Sequence, residues 1–374
     1  MNILNIAPTN LSDKHGIASW FRYYFKGLIE SNHDHDLYFV SVKNTDGIEK
    51  EFTDKFYHYV INWKWEQLNQ ILKHKKWDII HWHTTVVLFE DVEFEMRFFN
   101  KLLDLKSKGT KIITTTHSLQ KKDNSFEYAL LDPLDTEAWH KTFNSYILSE
   151  YYNTKISEMS DVVVYISKND MKEAKLCGDN FENSEVIYNS MNIYKDFKIK
   201  DDYKKNKVGF SHRFAMRKNW MTLLDLVPLN KNKTFHLSGE YFNPLVHTLL
   251  MKESDNVIFH GVLDEVGMET MFETIDVMLC PATYEPFGFT ALESVILGTP
   301  ALIYKDTGTY EVLGDSSFNF TSEVSISQTL NNFYSTPNEE IKERVKSQQA
   351  HLKKFSSLTF MVDEYLSLYS RVMN

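Results

Sequence analysis

Seven residues separate two glutamates, Glu285 and Glu293, in the second half of the sequence. Between them stand four residues whose peptide N–H groups would meet the start of a helix: Phe287, Gly288, Phe289 and Thr290. Free N–H donors and the helix dipole favour an anion at such a helix end, for example a diphosphate. A carboxylate in the second turn, as at Glu293, can accept hydrogen bonds from the vicinal hydroxyls of a ribose. The spacing therefore predicts one loop that holds phosphate, ribose and a third polar group.

The elements around this loop follow from the apolar pattern. Val277–Cys280 is a short apolar run that ends at Pro281, which is typical of a buried parallel strand. Apolar residues then recur at helical spacing until Gly298, and a second apolar run, Ala301–Tyr304, follows at once. The pattern predicts a strand-loop-helix-strand unit of a parallel sheet. Ligands of such sheets bind at the carboxyl ends of the strands, so the loop is expected to face a cleft.

The string Tyr-Glu-Pro-Phe-Gly-Phe-Thr-Ala-Leu-Glu-Ser from Tyr284, followed by Gly-Thr-Pro from Gly298 and later by Gly308 and Glu311, resembles a known motif. It is similar to the Glu-x7-Glu motif of group-1 retaining nucleotide-sugar glycosyltransferases of the GT-B fold. The alternative interpretation is that the two glutamates are solvated carboxylates, of which Glu285 stabilises the start of the helix.

The resemblance covers essentially the whole chain and implies an α/β fold with two Rossmann-like domains that face a cleft. An N-terminal acceptor domain is expected over residues 1–192, and a nucleotide-sugar domain over 207–355. A C-terminal helix over 356–374 is expected to cross back to the first domain. The stretch 194–207 is rich in Lys and Asp and poor in apolar residues, which predicts a solvated linker.

The resemblance also assigns roles in the second domain. It implies that Glu293 holds the ribose, and that Arg213 and Lys218, with the loop amides, hold the donor diphosphate. Cations suit this position because the leaving group gains negative charge as the sugar bond breaks. The sequence has His212 where the family usually has glycine before the arginine, and Arg217 is a competing phosphate ligand.

In the first domain, Gly16 opens a predicted helix after the first strand. The family has a glycine-rich turn there that contacts the donor diphosphate or the acceptor; a plain turn glycine is the alternative. His117 matches a family histidine that approaches the donor sugar, and with Glu285 it is expected at the reacting face. An alternating His81 and His83 could join His117 around a metal, but no further ligand cluster completes the set, so no metal is predicted.

Length and composition limit the other classes of protein to which the chain could belong. A chain of 374 residues exceeds one comfortable core, and a net charge of −10 argues against a large nonspecific nucleic-acid surface. No apolar run approaches the ~20 residues of a membrane span and no leader is evident, which predicts a cytoplasmic protein. Some aromatic and basic side chains favour an optional peripheral contact at the inner face of a membrane: Trp63, Trp65, Lys73, Lys75, Lys76 and Trp77.

These observations predict an enzyme that moves a hexosyl group, with retention and without a metal, from a nucleotide sugar to a hydroxyl acceptor on a glycan, lipid or protein. No cofactor is expected, and a UDP-sugar is the expected donor. Three alternatives stay open: a catalytically inert GT-B partner of an active transferase, a sugar phosphorylase or nucleotide-sugar epimerase on the same fold, and a glucosyltransferase that modifies DNA.

Overall fold

The computed structural model describes residues 1–7, 9–11, 16–43, 49–53, 56–62, 64–84, 92–117, 154–176, 182–191, 196–212, 214, 218–240, 248, 250, 255–322 and 324–374. The chain divides into two compact units. The first contains Met1–Lys121, Ile147–Asn192 and Phe355–Asn374, and the second contains Lys122–Tyr146 and Ile193–Lys354.

The first unit is built on a sheet of eight described strands: β1 (Asn2–Ile6), β2 (Asp36–Val42), β3 (Glu49–Thr53), β4 (Phe56–Ile61), β5 (Ile79–Thr84), β6 (Lys111–Thr116), β7 (Val162–Tyr165) and β8 (Ser184–Val186). Their order is β3-β4-β2-β1-β5-β6-β7-β8, and only the β3–β4 pair is antiparallel. Because the central strands are covered on both faces, β5 is buried over its whole length, including its two histidines.

Four helices with described bounds connect these strands: α1 (Gly16–Glu30), α2 (Trp65–Leu72), α3 (Val92–Ser107) and α4 (Lys168–Leu176). The buried face of α1 carries Ala18, Phe21, Tyr24 and Leu28, which recur at helical spacing and have no exposed surface. The start of α1 is thereby held at the carboxyl edge of the sheet.

The second unit contains six described strands, all parallel: β9 (Lys207–Ser211), β10 (Thr234–Ser238), β11 (Val257–Phe259), β12 (Val277–Cys280), β13 (Ala301–Tyr304) and β14 (Phe318–Phe320). They lie in the order β11-β10-β9-β12-β13-β14. The chain starts at β9, builds outward to β11, and then returns to β12 on the other side. The strand order therefore reverses between β9 and β12, where doubly wound sheets bind ligands.

Six described helices belong to this unit: α5 (Thr222–Leu229), α6 (Glu265–Thr274), α7 (Phe289–Ile296), α8 (Gly308–Leu313), α9 (Ile326–Ser335) and α10 (Asn338–Leu352). The last helix, α11 (Leu358–Met373), packs in the first unit against α1, as the sequence predicts. Gly27 permits the close approach, because a Cβ at that position would come within 2.7 Å of Val362 Cγ2.

The predicted solvated linker over 194–207 is exposed at most of the positions that the structure describes, from residue 196, but three of its side chains are anchored on the second unit. Tyr203 is completely buried in the core of the second unit. Lys200 donates to two carbonyls at the end of α6, and burial lowers its pKa to about 7. Lys204 Nζ donates to the carbonyls of Phe333, Tyr334 and Thr336 at 3.1, 2.8 and 2.6 Å. These lysines cap helix ends, where carbonyls lack intrahelical donors.

Within the described part of the chain, every helix is too short or too polar to span a bilayer.

Candidate active site

The reversal between β9 and β12 brings together two charged side chains from distant parts of the sequence. Lys218 follows β9 and Glu285 follows β12, and Lys218 Nζ donates to Glu285 Oε2. The two side chains are 14% and 17% exposed, so the pair is largely shielded from water. Asn219 Nδ2 donates to the carbonyl of Pro281 at 3.2 Å and ties the same two loops together. The structure thus places Lys218 beside Glu285, at the edge where a ligand is expected.

Gly288 forms the turn between Glu285 and α7 and has a left-handed conformation with φ of 82°. A Cβ at this position would lie 2.1 Å from Thr309 Oγ1 and 3.1 Å from Glu285 Cγ. The Gly308 N–H donates to the Glu285 carbonyl at 2.9 Å, which fastens the start of α8 to the same loop. Glycine is required here both by the backbone conformation and by the close neighbours.

The amino end of α7 opens beside this turn. The first intrahelical bonds run from the N–H groups of Ala291 and Leu292 to the Gly288 carbonyl, at 3.0 and 3.2 Å. The preceding amides, those of Phe289 and Thr290, belong to the first turn, whose N–H groups have no acceptor within the helix. Phe287 is buried and packs edge-on against Phe289 at 5.0 Å between ring centroids. The packing of the buried Phe287 ring against Phe289 therefore fixes the backbone that carries the predicted anion-binding amides.

The other predicted site residues of this unit do not take part in the contact between Lys218 and Glu285 that the structure describes. Glu293 is exposed on α7, whereas its neighbours Ala291 and Leu292 are buried. Its carboxylate is accessible to a ligand from solvent. Arg213 and Arg217 lie outside the described residues, so the predicted second diphosphate cation has no described position.

Cys280 ends β12 directly below the charged pair and is a buried free thiol. Burial raises the pKa of this thiol, the Glu285 carboxylate raises it further, and Lys218 opposes them. The thiol stays protonated and acts as a small apolar side chain, in agreement with the sequence.

His117 lies at the corresponding edge of the first sheet, directly after β6. It is 6% exposed, and its Nε2 shares a hydrogen bond with His83 Nδ1 at 3.3 Å. Burial lowers the pKa of His117 to about 3, and it also holds the pKa values of His81 and His83 well below the ordinary histidine value. All three rings are therefore neutral at physiological pH. Gly16 is the first residue of α1, as predicted, in the same unit.

His81 is committed to protein partners. Its Nδ1 shares a hydrogen bond with the Tyr369 hydroxyl at 2.6 Å, and its Nε2 shares one with Thr115 Oγ1 at 2.8 Å. Among the described residues, no group of three metal-ligating side chains is arranged to hold an ion. The chemistry of the three histidines is consequently that of neutral hydrogen-bonding groups.

Three features of these sites, two residues and one interaction, were not predicted from the sequence. Thr309 presents a buried hydroxyl that has no hydrogen-bond partner among the described residues and abuts Gly288. Asn219, with φ of 52°, links the two loops of the charged pair. The interaction of His83 with His117 is the third. A sequence signal existed only for Asn219, because asparagine is enriched among residues with positive φ.

Comparison with known proteins agrees with this architecture. Residues 193–348 match the family model of group 1 glycosyl transferases. An uncharacterised 41.2 kDa protein in the cps region of Klebsiella pneumoniae is 26% identical over 257 residues, which cover 65% of this chain and 64% of that protein. A 2-deoxystreptamine glucosyltransferase of Streptomyces kanamyceticus is 25% identical over 114 residues, or 29% and 30% of the two chains. The chain thus spans less than two thirds of the length of these relatives.

Two solved structures match nearly the full chain. Anabaena HepE in complex with UDP and glucose superposes with a TM-score of 0.68 at 13% identity, over 99% of this chain and 100% of that one. Sucrose-phosphate synthase from Thermosynechococcus elongatus gives 0.71 at 15% identity, over 99% and 98%. The two doubly wound sheets and these matches define a protein of the GT-B fold, so the predicted fold class is confirmed. Over residues 193–348, in the second unit, the resemblance to group 1 glycosyltransferases that the sequence indicated is confirmed.

Proposed function

We propose that the protein transfers a hexosyl group from a nucleoside-diphosphate sugar to a hydroxyl acceptor, with retention of the anomeric configuration. The observation that carries this proposal is the pairing of Lys218 with Glu285 beside the amino end of α7, at the reversal of the second sheet. A cation and the amide donors at a helix start, at one sheet edge, suit a diphosphate, whose charge increases as the sugar leaves.

Each group has a role in this reaction. The bond between the anomeric carbon and the diphosphate oxygen breaks, and a bond from that carbon to the acceptor oxygen forms. Lys218 and the amides of Phe287, Gly288, Phe289 and Thr290 stabilise the departing diphosphate, together with Arg213. This arrangement neutralises the leaving group with side chains and a helix end, so the proposed reaction is independent of a metal. The departing diphosphate takes the proton of the acceptor hydroxyl.

The remaining predicted residues recognise the donor. Glu293, exposed on α7, accepts hydrogen bonds from the ribose hydroxyls. Glu285 and His117 engage the transferred sugar, and Gly16 allows the backbone to approach the substrate. A UDP-sugar is the proposed donor, since the structural neighbour HepE binds UDP and glucose. No cofactor is proposed beyond the nucleotide sugar itself.

A carbohydrate or glycoconjugate in the cytoplasm is the proposed acceptor. Optional contact with a membrane has weaker support than the sequence indicated. Trp77 is 1% exposed, and the Lys75 ammonium lies 4.1 Å from the centroid of the Tyr38 ring. These two side chains pack in the first unit and are not offered to a membrane. Of the aromatic and basic residues that favoured a membrane contact, Trp65, Lys73 and Lys76 are the other described ones.

The direct test is a thermal-shift panel of nucleoside diphosphates and nucleotide sugars, run on the wild type and on Glu293→Ala. Stabilisation by one diphosphate family, reduced in the variant, is expected. Indifference to every nucleotide would favour the catalytically inert partner instead. Retention is tested by NMR assignment of the anomeric configuration of the product; an inverted product would contradict it.

A further inference from the structure

His83 on β5 and His117, directly after the adjacent strand β6, lie on the same face of the first sheet. In the β5–β6 register His83 lies opposite Thr115, and His117 follows two residues beyond Thr115. Side chains two residues apart on a strand point to the same face, so the two rings meet across the strands. His83 Nδ1 and His117 Nε2 lie 3.3 Å apart. The backbone N–H of His117 donates to the backbone carbonyl of Thr84 at 3.4 Å. The backbone therefore brings the two rings into register.

Aromatic rings enclose this pair. The Trp20 ring centroid lies 4.4 Å from that of His117 and 5.1 Å from that of His83, and Phe21 contacts both. The ring centroid of His81 lies 3.9 Å from that of His83. His81 is itself fixed by its hydrogen bonds to Tyr369 and Thr115. With His83 completely buried, its ring has no free space in which to turn.

The position of the proton follows from the two nitrogens of His83. Its Nε2 is buried and has no hydrogen-bond partner among the described residues. A buried N–H without an acceptor is rarer in proteins than a buried acceptor without a donor. The proton of neutral His83 is accordingly on Nδ1, where it is donated to His117 Nε2. Because His117 Nε2 accepts this bond, the proton of neutral His117 is on Nδ1.

We infer that His83 is a positioning residue, which holds the His117 ring in place and fixes it as the tautomer protonated at Nδ1. This inference rests on the proposed function, in which His117 engages the transferred sugar. His117 then offers a single N–H donor, at Nδ1, to an oxygen of the sugar. It does not serve as a base through Nε2, because His83 occupies that nitrogen. The lowered pKa values of both rings agree with a neutral donor pair.

The tautomers can be measured directly on the substrate-free protein. Selective 15N labelling of histidine and long-range 1H–15N correlation distinguish the protonated from the bare nitrogen of each ring, with assignment by His83→Asn and His117→Asn. The inference predicts protonated Nδ1 and bare Nε2 for both residues. A proton on Nε2 of His117 would overturn it.

The kinetic test uses variants that differ in where a donor is placed. Asn at position 83 keeps an amide near the site of Nδ1, Gln moves the amide toward the site of Nε2, and Leu has no donor. His83→Leu and His83→Gln are expected to lower kcat for sugar transfer roughly 10- to 100-fold with a smaller change in the donor KM, because a misplaced catalytic group is costly. His83→Asn is expected to retain most of the wild-type rate.

A double-mutant cycle separates positioning from simple packing. On the background of His117→Ala, His83→Leu is expected to cause no further loss, because the residue that it positions is gone. Additive losses would contradict the inference. If His117→Ala alone transferred sugar at the wild-type rate, the proposed role of His117 would be wrong, while the tautomer measurement would still decide the interaction between the two rings.

Discussion

The two sheets reverse their strand order in the same way but carry different chemistry at the reversal. In the second sheet, between β9 and β12, the loops present a cation, a carboxylate and the amino end of a helix. In the first sheet the reversal lies between β1 and β5, and the adjoining strand ends carry His83 and His117, which are neutral and buried. Similar folding patterns thus hold a charged site in one unit and an uncharged hydrogen-bonding site in the other.

The difference matches the two kinds of substrate group in the proposed reaction. A diphosphate requires positive charge that is already oriented before the bond breaks. A sugar hydroxyl requires donors and acceptors of fixed geometry, and charge near it would add little. We therefore expect substitutions at the second reversal to act on chemistry and anion binding. Substitutions at the first should act on the positions of the histidine rings, and thereby on the rate of transfer, and on stability.

The largest expected effect is at Glu285. Glu285→Gln should reduce the rate of sugar transfer by about 10²- to 10³-fold, the usual loss for one preorganised polar group in an active site. Affinity for the nucleoside diphosphate should be kept, because Lys218 no longer shares its charge with the carboxylate. Initial rates and calorimetric titration measure the two quantities. The matched control is Glu273→Gln, which breaks the exposed pair with Lys198 in the same unit. Equal rates for both variants would refute the role of Glu285.

Gly288→Ala tests the turn that separates the charged pair from α7. The added Cβ would meet Thr309 Oγ1, and the residue must keep a positive φ. We expect a loss of about 1–3 kcal/mol in the free energy of unfolding of the second unit. The double variant Gly288→Ala/Thr309→Ala should recover part of this loss, since it removes the clash but not the backbone strain. Urea denaturation measures both, and full recovery would show that the backbone conformation is not strained.

In the first unit, Tyr369→Phe should be destabilising because one hydroxyl serves three buried partners. It contacts the Tyr24 hydroxyl at 2.5 Å, His81 Nδ1 at 2.6 Å and Asn5 Oδ1 at 3.2 Å. Tyr24 and Asn5 keep their own hydrogen bond at 3.2 Å, but His81 Nδ1 loses its partner, and such a buried unsatisfied group costs about 1–3 kcal/mol. Tyr365→Phe, which removes only a 3.2 Å bond to Thr115, is the control and should cost less. Equal losses in urea denaturation would count against this network.

A further effect appears only at acid pH and concerns His117. The pKa of His117 falls from 6.5 to about 3 on folding, so below pH 6.5 the unfolded chain binds a proton that the folded chain refuses. The contribution of neutral, buried His117 to the free energy of unfolding is fully present above pH 6.5. It is lost as the pH falls toward about 3, at up to about 1.4 kcal/mol per pH unit. His117→Asn should make the dependence of the unfolding free energy on pH shallower over this window. An unchanged slope would mean that the ring is protonated in the folded protein.

The sequence predicted the best-defined part of the second unit. β12 and β13 begin and end at the predicted residues, because each is a continuous apolar run bounded by proline, glycine or a polar residue. In contrast, β3 was not predicted. Its sequence, Glu-Lys-Glu-Phe-Thr, lacks an apolar alternation, and it is a strand because it pairs antiparallel with β4 at the sheet edge. Tertiary pairing of this kind leaves no local signal.

The same limit applies to the sites. The spacing of Glu285 and Glu293 predicted the loop and its helix. Nothing in the sequence indicated that Lys218, in a different loop, would pair with Glu285, because that contact depends on the strand order. The lysines of the predicted linker indicated solvent correctly for most of the stretch, but not that the ammonium groups of Lys200 and Lys204 bind helix carbonyls. His83 was assigned no role because its function depends on a neighbouring strand.

Calorimetric titration of UDP into the wild type, Lys218→Met and Lys231→Met tests the central claim most directly. Lys231 is an exposed lysine of the same unit and serves as the control for loss of one positive charge. The account predicts that UDP binds the wild type and the control equally, and that Lys218→Met weakens binding by about tenfold or more. UDP binding that is unchanged in Lys218→Met would contradict the assignment of this sheet edge as the diphosphate site.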